Sequence, residues 1–359
     1  MKRVPARSIL SMFAAGAAFM FLAGTAPLAR AQQSAADAHV AAAKAAVSPK
    51  TPTAGQPWHD FQRSFMQQCA KPRENPQAEE VGPNVPLEKA EAAKLVPTPF
   101  EKWYTPPIKV FDNLYYIGTK TESTWALTTS QGIILIDTNF DWVTTSLLEE
   151  LRTFGLDPAN IKYAIIPHAH SDQAWGINTL KNLVPSAHVI MSDADWNALA
   201  NDNTPARLKP AKDMVATDGQ KLTLGDTTVT MYITPGSSPG TMSVIFPLKD
   251  GNQMHMGSLI GGTTTNVVRG GLRYFPDAKT ELKTYADSNA RFKQLEDQAG
   301  VDTIVSVHAA LDDMFAKADA LKSRAPGQPH PFVSKDDVDR FSTILAECAQ
   351  AKLAWVTNE

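Results

Sequence analysis

The chain has 359 residues, with 34 Lys plus Arg against 37 Asp plus Glu, a formal charge of −3 and two cysteines. A slightly acidic balance with no basic run lacks the electrostatic footprint of a nucleic-acid binder. Beyond residue 31 no stretch approaches the roughly 18 consecutive apolar residues that a membrane span requires.

In chain order, Lys2, Arg3 and Arg7 form a basic start, 9–22 an apolar centre, and Ala29-Arg30-Ala31 a small-x-small cleavage site. Residues 1–31 therefore read as a signal peptide, and the mature product, from Gln32, as soluble and periplasmic or secreted. An uncleaved N-terminal anchor is the competing reading. Without the leader's four basic residues the formal charge becomes −7. Residues 32–57 are rich in Ala, Pro, Thr and Ser without an apolar pattern, which predicts a flexible tether. An N-terminal helical extension follows over 58–99: Trp58, Phe61, Phe65, Met66 and Cys69 fall at helical spacing, and a second short helix lies around 88–95 beyond a Pro-rich connector.

The compact body occupies 100–359. Strands are predicted at 114–117, 124–128 and 133–136, then a helix over 143–154 that leads through Gly155 and Pro158 into a strand ending at Ile166. A helix over 177–183, a strand at 188–191 and a helix over 193–199 continue the alternation. Four more strands are expected at 221–224, 228–234, 242–247 and 253–258, with tight turns at Gly225-Asp226 and Asp250-Gly251. The remainder reads as helices over 280–295, 311–321 and 335–352, with a strand at 303–307 that delivers His308. Two strand-rich halves with helices outside predict an α/β four-layer αββα sandwich whose strand ends meet at one rim.

Cys69 and Cys348 lie on either side of most of this body, and an oxidising compartment permits them to pair. A bridge closing so long a loop is worth roughly 5 kcal/mol in the chain-entropy model. The alternative is two separate buried thiols.

The most informative segment is Pro167-His168-Ala169-His170-Ser171-Asp172-Gln173-Ala174-Trp175-Gly176, directly after an apolar strand. Two histidines one residue apart, with an aspartate two further on, present nitrogen and oxygen ligands to a divalent metal from one loop. Together with the segments at 113–119 and 132–137, Thr234-Pro235-Gly236-Ser237-Ser238-Pro239-Gly240, Gly257-Ser258 and Val307-His308, this loop resembles the metallo-β-lactamase superfamily, and subclass B3 metallo-β-lactamases most of all. The resemblance runs in order over 100–318 and implies the superfamily's αββα fold.

In that family one zinc is held by the first two histidines of His-x-His-x-Asp-His and a histidine after Pro-Gly. The other is held by the aspartate, the following histidine and a late one. Here His168, His170, Asp172 and His308 are present, but Gln173 and Ser237 stand where two of the histidines belong. The resemblance thus implies a weakened centre of His168, His170, Asp172, Gln173 and His308, with one zinc ion or at most two, or a harder divalent metal. It implies Asp172 as the catalytic group, and Ser237 and Ser258 as substrate-binding or water-orienting residues. Asp137 reads as a structural carboxylate that orients the metal loop. Trp175 either narrows the cleft or packs in the core. His39, His59, His188 and His330 read as surface residues, and His255 stands on a strand leading to the rim.

The implied reaction is hydrolysis of a small molecule, a β-lactam or related cyclic amide or ester, by hydroxide generated on the metal. Weak or shifted activity is expected from the lost ligands. Two other readings are lactone or thioester hydrolysis, which usually goes with a metal-bridging aspartate where this chain has Gly257, and a non-catalytic protein that uses the cleft only for binding.

Overall fold

A computed structural model describes residues 25–48, 61–71, 103–202, 204–265 and 274–357. Its first sheet has seven strands in the order β1 (Ile108–Phe111), β2 (Leu114–Tyr116), β3 (Trp125–Thr129), β4 (Gly132–Ile136), β5 (Ile161–Ile165), β6 (His188–Ser192) and β7 (Met214–Ala216). The first four pair antiparallel, and β4 to β7 are parallel, each reached through a helical crossover or loop. The second sheet holds β8 (Gln220–Leu224), β9 (Thr227–Ile233), β10 (Met242–Asp250), β11 (Gln253–Ile260) and β12 (Thr303–Ser306), in the order β12-β11-β10-β9-β8. Leu114, Trp125, Ile134 and Ile136 of the first sheet meet Val229, Met231, Val244, Phe246 and Leu259 of the second in one buried core.

Helices cover the outer face of each sheet. Over the first lie α3 (Asp141–Glu150), α5 (Ile177–Leu183) and α6 (Asp193–Asn201), which pack Val143, Leu147, Leu180 and Trp196 onto Leu135, Ala164 and Val189. The four-residue α4 (Ser171–Ala174) follows the histidine loop. Over the second sheet lie α7 (Ala278–Ala299) and α9 (Lys335–Val356), and α8 (Met314–Lys322) packs beside β1 at the edge of the first. Local sequence sets their ends: Asp277 and Ser334 accept from backbone N–H groups at the starts of α7 and α9, and Gly300 ends α7 at φ +67°. Two short edge strands, β1 and β7, escape a reading based on apolar runs because each has only three or four residues.

The N-terminal segments dock on the second helical layer. The stretch expected to be a tether forms α1 (Thr25–Ala45), whose Ala36 and Ala43 are buried as it packs along α9. Alanine costs little side-chain entropy in a helix and lets two helix backbones approach closely, so a stretch with few large apolar residues still docks. In α2 (Gln62–Gln68) and the residue before it, Phe61 packs edge-on against Phe341 with the Arg340 guanidinium 4.8 Å over its ring. Cys69 and Cys348 form a disulfide between the end of α2 and α9. The start of the leader, the helix expected near 88–95 and the Pro-rich connector lie outside the described residues.

Candidate metal centre

The parallel strands β4, β5 and β6 end at one rim, where loops are free to carry polar side chains. After β5, the Pro167 carbonyl accepts from Met242 N–H at 2.7 Å, which ties the loop to the second sheet. His170 sits in an extended conformation before α4, and its carbonyl accepts from Gln173 and Ala174. The Gln173 carbonyl in turn accepts from the Thr138 backbone at 3.2 Å and the Thr138 hydroxyl at 2.8 Å. His168, His170, Asp172 and Gln173 are all buried.

Their geometry fits a metal. The Nδ1–H of His168 donates to the Gly261 carbonyl at 2.7 Å, leaving Nε2 as the lone-pair nitrogen. That Nε2 lies 3.1 Å from His170 Nδ1, close to the edge of about 3.3 Å expected between ligands at zinc–nitrogen bond lengths. Asp172 offers an oxygen to the same group, with all three ligand atoms within 4.8 Å of one another.

A second group shares Asp172. His308 follows β12; its Nδ1 lies 2.8 Å from the Thr263 hydroxyl, and its Nε2 is 3.1 Å from Asp172 Oδ2 and 3.1 Å from Glu122 Oε2. Burial alone disfavours the charged ring, but the Glu122 and Asp172 carboxylates outweigh it and raise the His308 pKa to about 10. Burial likewise pushes Asp172 up, and His308, His168 and His170 together bring it well below the usual carboxylate range. In the metal-free protein the His308 imidazolium therefore offsets one of the two carboxylate charges, and a metal entering there would displace its proton.

Glu122 was not anticipated from the sequence, where it is one acidic residue in a polar loop between β2 and β3. Its proximity to His308 comes from an antiparallel bridge between the two residues, a pairing of loops from different sheets. Asp195 was also missed. Its carboxylate accepts from Ala169 N–H at 2.9 Å, Ser238 Oγ–H at 2.6 Å and Gly240 N–H at 2.7 Å, clamping the histidine loop to the 234–240 turn. Burial raises its pKa to about 6 against those three hydrogen bonds. An Asp three residues past a helix-capping Ser is too common a signal to mark this role.

The other expectations separate. Gln173 stands beside Asp172, with Nε2 3.4 Å from Oδ2. Gln173 Oε1 and Asp172 Oδ1 are buried and, among the described residues, have no hydrogen-bond partner, as befits oxygens that face a cation. Ser237 donates its hydroxyl to the Thr264 carbonyl and packs against Gly262, so it braces the segment that holds His168.

Ser258 does not face the rim. Strand β11 runs on to Ile260, which leaves Ser258 inside the sheet, and its hydroxyl donates to Glu296 Oε1 of α7 at 2.6 Å. Asp137 directly follows β4 and accepts from Asn139 N–H at 2.5 Å, in keeping with a structural role. Trp175 is core, edge-on to Phe140 and buried. His255 pairs with Asp302 at 2.7 Å. His330 is buried rather than superficial, stacked on Phe111 with centroids 4.0 Å apart; a Pro-rich loop folds back over β1 and closes that edge of the core.

Residues 118–267 match the family model of the metallo-beta-lactamase superfamily. The structure is similar to that of BJP-1, a subclass B3 metallo-beta-lactamase of Bradyrhizobium japonicum, at 27% identity over 72% of this chain and 98% of that one, with a TM-score of 0.61. It is also similar to a Cronobacter sakazakii metallo-beta-lactamase described by its HARLDQ motif, at 26% identity over 79% and 97% of the two chains and a TM-score of 0.58. FEZ-1 from Legionella gormanii shares the fold at 24% identity over 66% and 91%, with a TM-score of 0.57. The letters HARLDQ and the run His168-Ala169-His170-Ser171-Asp172-Gln173 agree at His, Ala, Asp and Gln.

Proposed function

We propose that this chain, a metallo-β-lactamase superfamily protein similar to subclass B3 enzymes, is an exported metal-dependent hydrolase that opens a cyclic amide such as a β-lactam. The observation that carries the reading is the buried convergence of His168 Nε2, His170 Nδ1 and Asp172 at ligand spacing. A glutamine in the corresponding motif of a protein described as a metallo-beta-lactamase supports it, because Gln173 is then compatible with that chemistry.

Zinc suits the imidazole-rich group, where it would act as a Lewis acid toward a carbonyl and bring a water's pKa near neutrality. The rest falls to the chain's own groups. Gly261 fixes the His168 tautomer and ring plane. Asp172 Oδ1, buried and with no hydrogen-bond partner among the described residues, accepts a proton from the attacking water and aims its lone pair at the carbonyl. The Asp195 clamp holds Ala169, and with it the spacing of the two histidines. Export is supported by the leader pattern and by the Cys69–Cys348 bridge, which belongs to an oxidising compartment.

The test is hydrolysis of a penicillin, a chromogenic cephalosporin and a carbapenem by the chain from Gln32, with and without zinc, beside His168→Ala. Zinc-dependent turnover that disappears in the variant is expected. A zinc-loaded protein inert toward all three sinks the β-lactam reading.

One observation favours a second reading, a non-catalytic binding protein: Ser237, where a third imidazole would stand, is committed to the Thr264 carbonyl. That reading predicts a melting temperature indifferent to chelator, since nothing is bound to be removed.

A further inference from the structure

Glu122 lies outside the His-x-His-x-Asp motif and in a loop with no part in the metal ligation expected from the sequence. Its position is nevertheless highly determined. The Glu122 carbonyl accepts from Thr119 N–H at 2.8 Å and Asn139 Nδ2–H at 3.2 Å, and the Glu122 N–H donates to the Thr119 hydroxyl at 2.9 Å. A Cβ at Gly118 would lie 2.5 Å from the Glu122 carbonyl, so the turn needs a glycine there. On the other side, Ser123 N–H donates to Val307 at 2.9 Å and Ala309 N–H to Thr121 at 3.0 Å, which makes Glu122 and His308 direct cross-strand partners. Side chains opposite each other in an antiparallel pair share one face, so the carboxylate and the imidazole meet by construction. Both are nearly enclosed, as is Asp172, and the Gln173 side chain stands beside Asp172 with its Oε1 buried and, among the described residues, without a hydrogen-bond partner.

We propose that Glu122 replaces the lost imidazole and forms, with Asp172 and His308, an oxygen-rich second metal site that takes a harder divalent cation such as Mn²⁺, while the His168–His170 group takes zinc. This rests on the metal-dependent reading above and adds an asymmetry to it. Two carboxylates and one imidazole form a donor set suited to manganese or magnesium, whereas the His168–His170 pair suits zinc. Both Nε2-to-oxygen distances at His308 are 3.1 Å, close to the octahedral edge of about 3.0 Å for bonds near 2.1 Å. Asp172 belongs to both groups, and its Oδ2 faces His308.

The test is metal titration of the whole chelator-stripped protein, first with Zn²⁺ to one equivalent, then with Mn²⁺. Bound Mn²⁺ is read by electron paramagnetic resonance and by paramagnetic broadening of the histidine ring signals. The expected result is one tightly held zinc, then a second equivalent of Mn²⁺ that broadens His308 while leaving His39 and His188 sharp. Glu122→Gln, which keeps the side-chain shape, is expected to lose at least tenfold in Mn²⁺ affinity and retain its zinc. One bound zinc with no Mn²⁺ binding, or with Mn²⁺ affinity unchanged in Glu122→Gln, overturns the second site and leaves the hydrolase reading standing. Binding of neither metal overturns both. Should Glu122→Gln fail to fold by near-ultraviolet circular dichroism, the broadening of His308 in the unaltered protein decides the matter: its absence overturns the proposal.

Discussion

Ser258→Ala is expected to weaken the fold while leaving the metal chemistry untouched, and the size of the effect should depend on pH. Ser258 and Ser342 each donate a hydroxyl to Glu296, at 2.6 Å, from opposite sides of a buried carboxyl between β11 and the α7–α9 layer. Burial raises the Glu296 pKa to about 7 against these two donors. The folded state therefore binds this proton more tightly than the unfolded chain, whose carboxyl titrates near 4.5. Between those values ionisation works against folding, so the group's contribution to stability is full below pH 4.5 and is lost by about pH 7, a loss of about 3 kcal/mol. Removing the Ser258 hydroxyl costs about 1 kcal/mol when Glu296 is neutral and about 1.5–3 kcal/mol once it is ionised. For unfolding entropy of about 2.1 cal/mol/K per residue over roughly 280 residues, 2 kcal/mol corresponds to a fall of about 3 °C in Tm. Urea unfolding of the metal-free protein and the variant at pH 5 and pH 8 measures both numbers. A destabilisation that is equal at the two pH values, or absent while zinc-dependent turnover collapses, would refute the reasoning and return Ser258 to the rim.

Replacing both Cys69 and Cys348 with Ser opens a loop closed across a sequence separation of 279, which the chain-entropy model values at roughly 5–6 kcal/mol; an unchanged urea midpoint would count against the bridge. Asp195→Asn keeps the shape but weakens the acceptors for Ala169 and Gly240 N–H, and it should lower zinc affinity about 10- to 100-fold. Competition against a zinc chelator reads this directly, and an affinity equal to that of the parent would show that the clamp is irrelevant. Burial against Phe111 lowers the His330 pKa to about 4, so its ring should remain neutral at pH 5 in a histidine NMR titration. The folded pKa being depressed, its contribution to stability is present above pH 6.5 and is lost as the pH falls toward 4; a midpoint near 6.5 would place His330 at the surface after all.

Much of this protein is written locally. The switch between alternating and helical spacing, punctuated by Gly155, Pro158, Gly225 and Gly251, marks most of the strands and helices to within a few residues. The strand before Pro167 followed by two close histidines and Asp172 identifies the rim of the candidate metal centre. Such features depend on neighbours in the chain, and side-chain period and backbone sterics impose them whatever the tertiary setting.

The pairing of surfaces was decided elsewhere. In this sandwich both faces of each sheet are covered, one by the other sheet and one by helices, so polarity does not reveal which way a strand residue points. Ser258 is an instance: two more residues of β11 place it under α7, and the rim position falls to Gly261, whose carbonyl orients His168. Glu122 and His308 are far apart in sequence and meet only because the loop after β2 pairs with the end of β12 across the two sheets. In the same way α1, with few large apolar residues of its own, finds its place from the groove that α9 offers. The sequence alone therefore determines most of the elements and four of the proposed metal ligands, His168, His170, Asp172 and His308. Glu122 as a candidate fifth ligand, and the buried places of Ser258 and His330, depend on how closed layers stack, because contacts between distant segments leave no period or spacing in the chain.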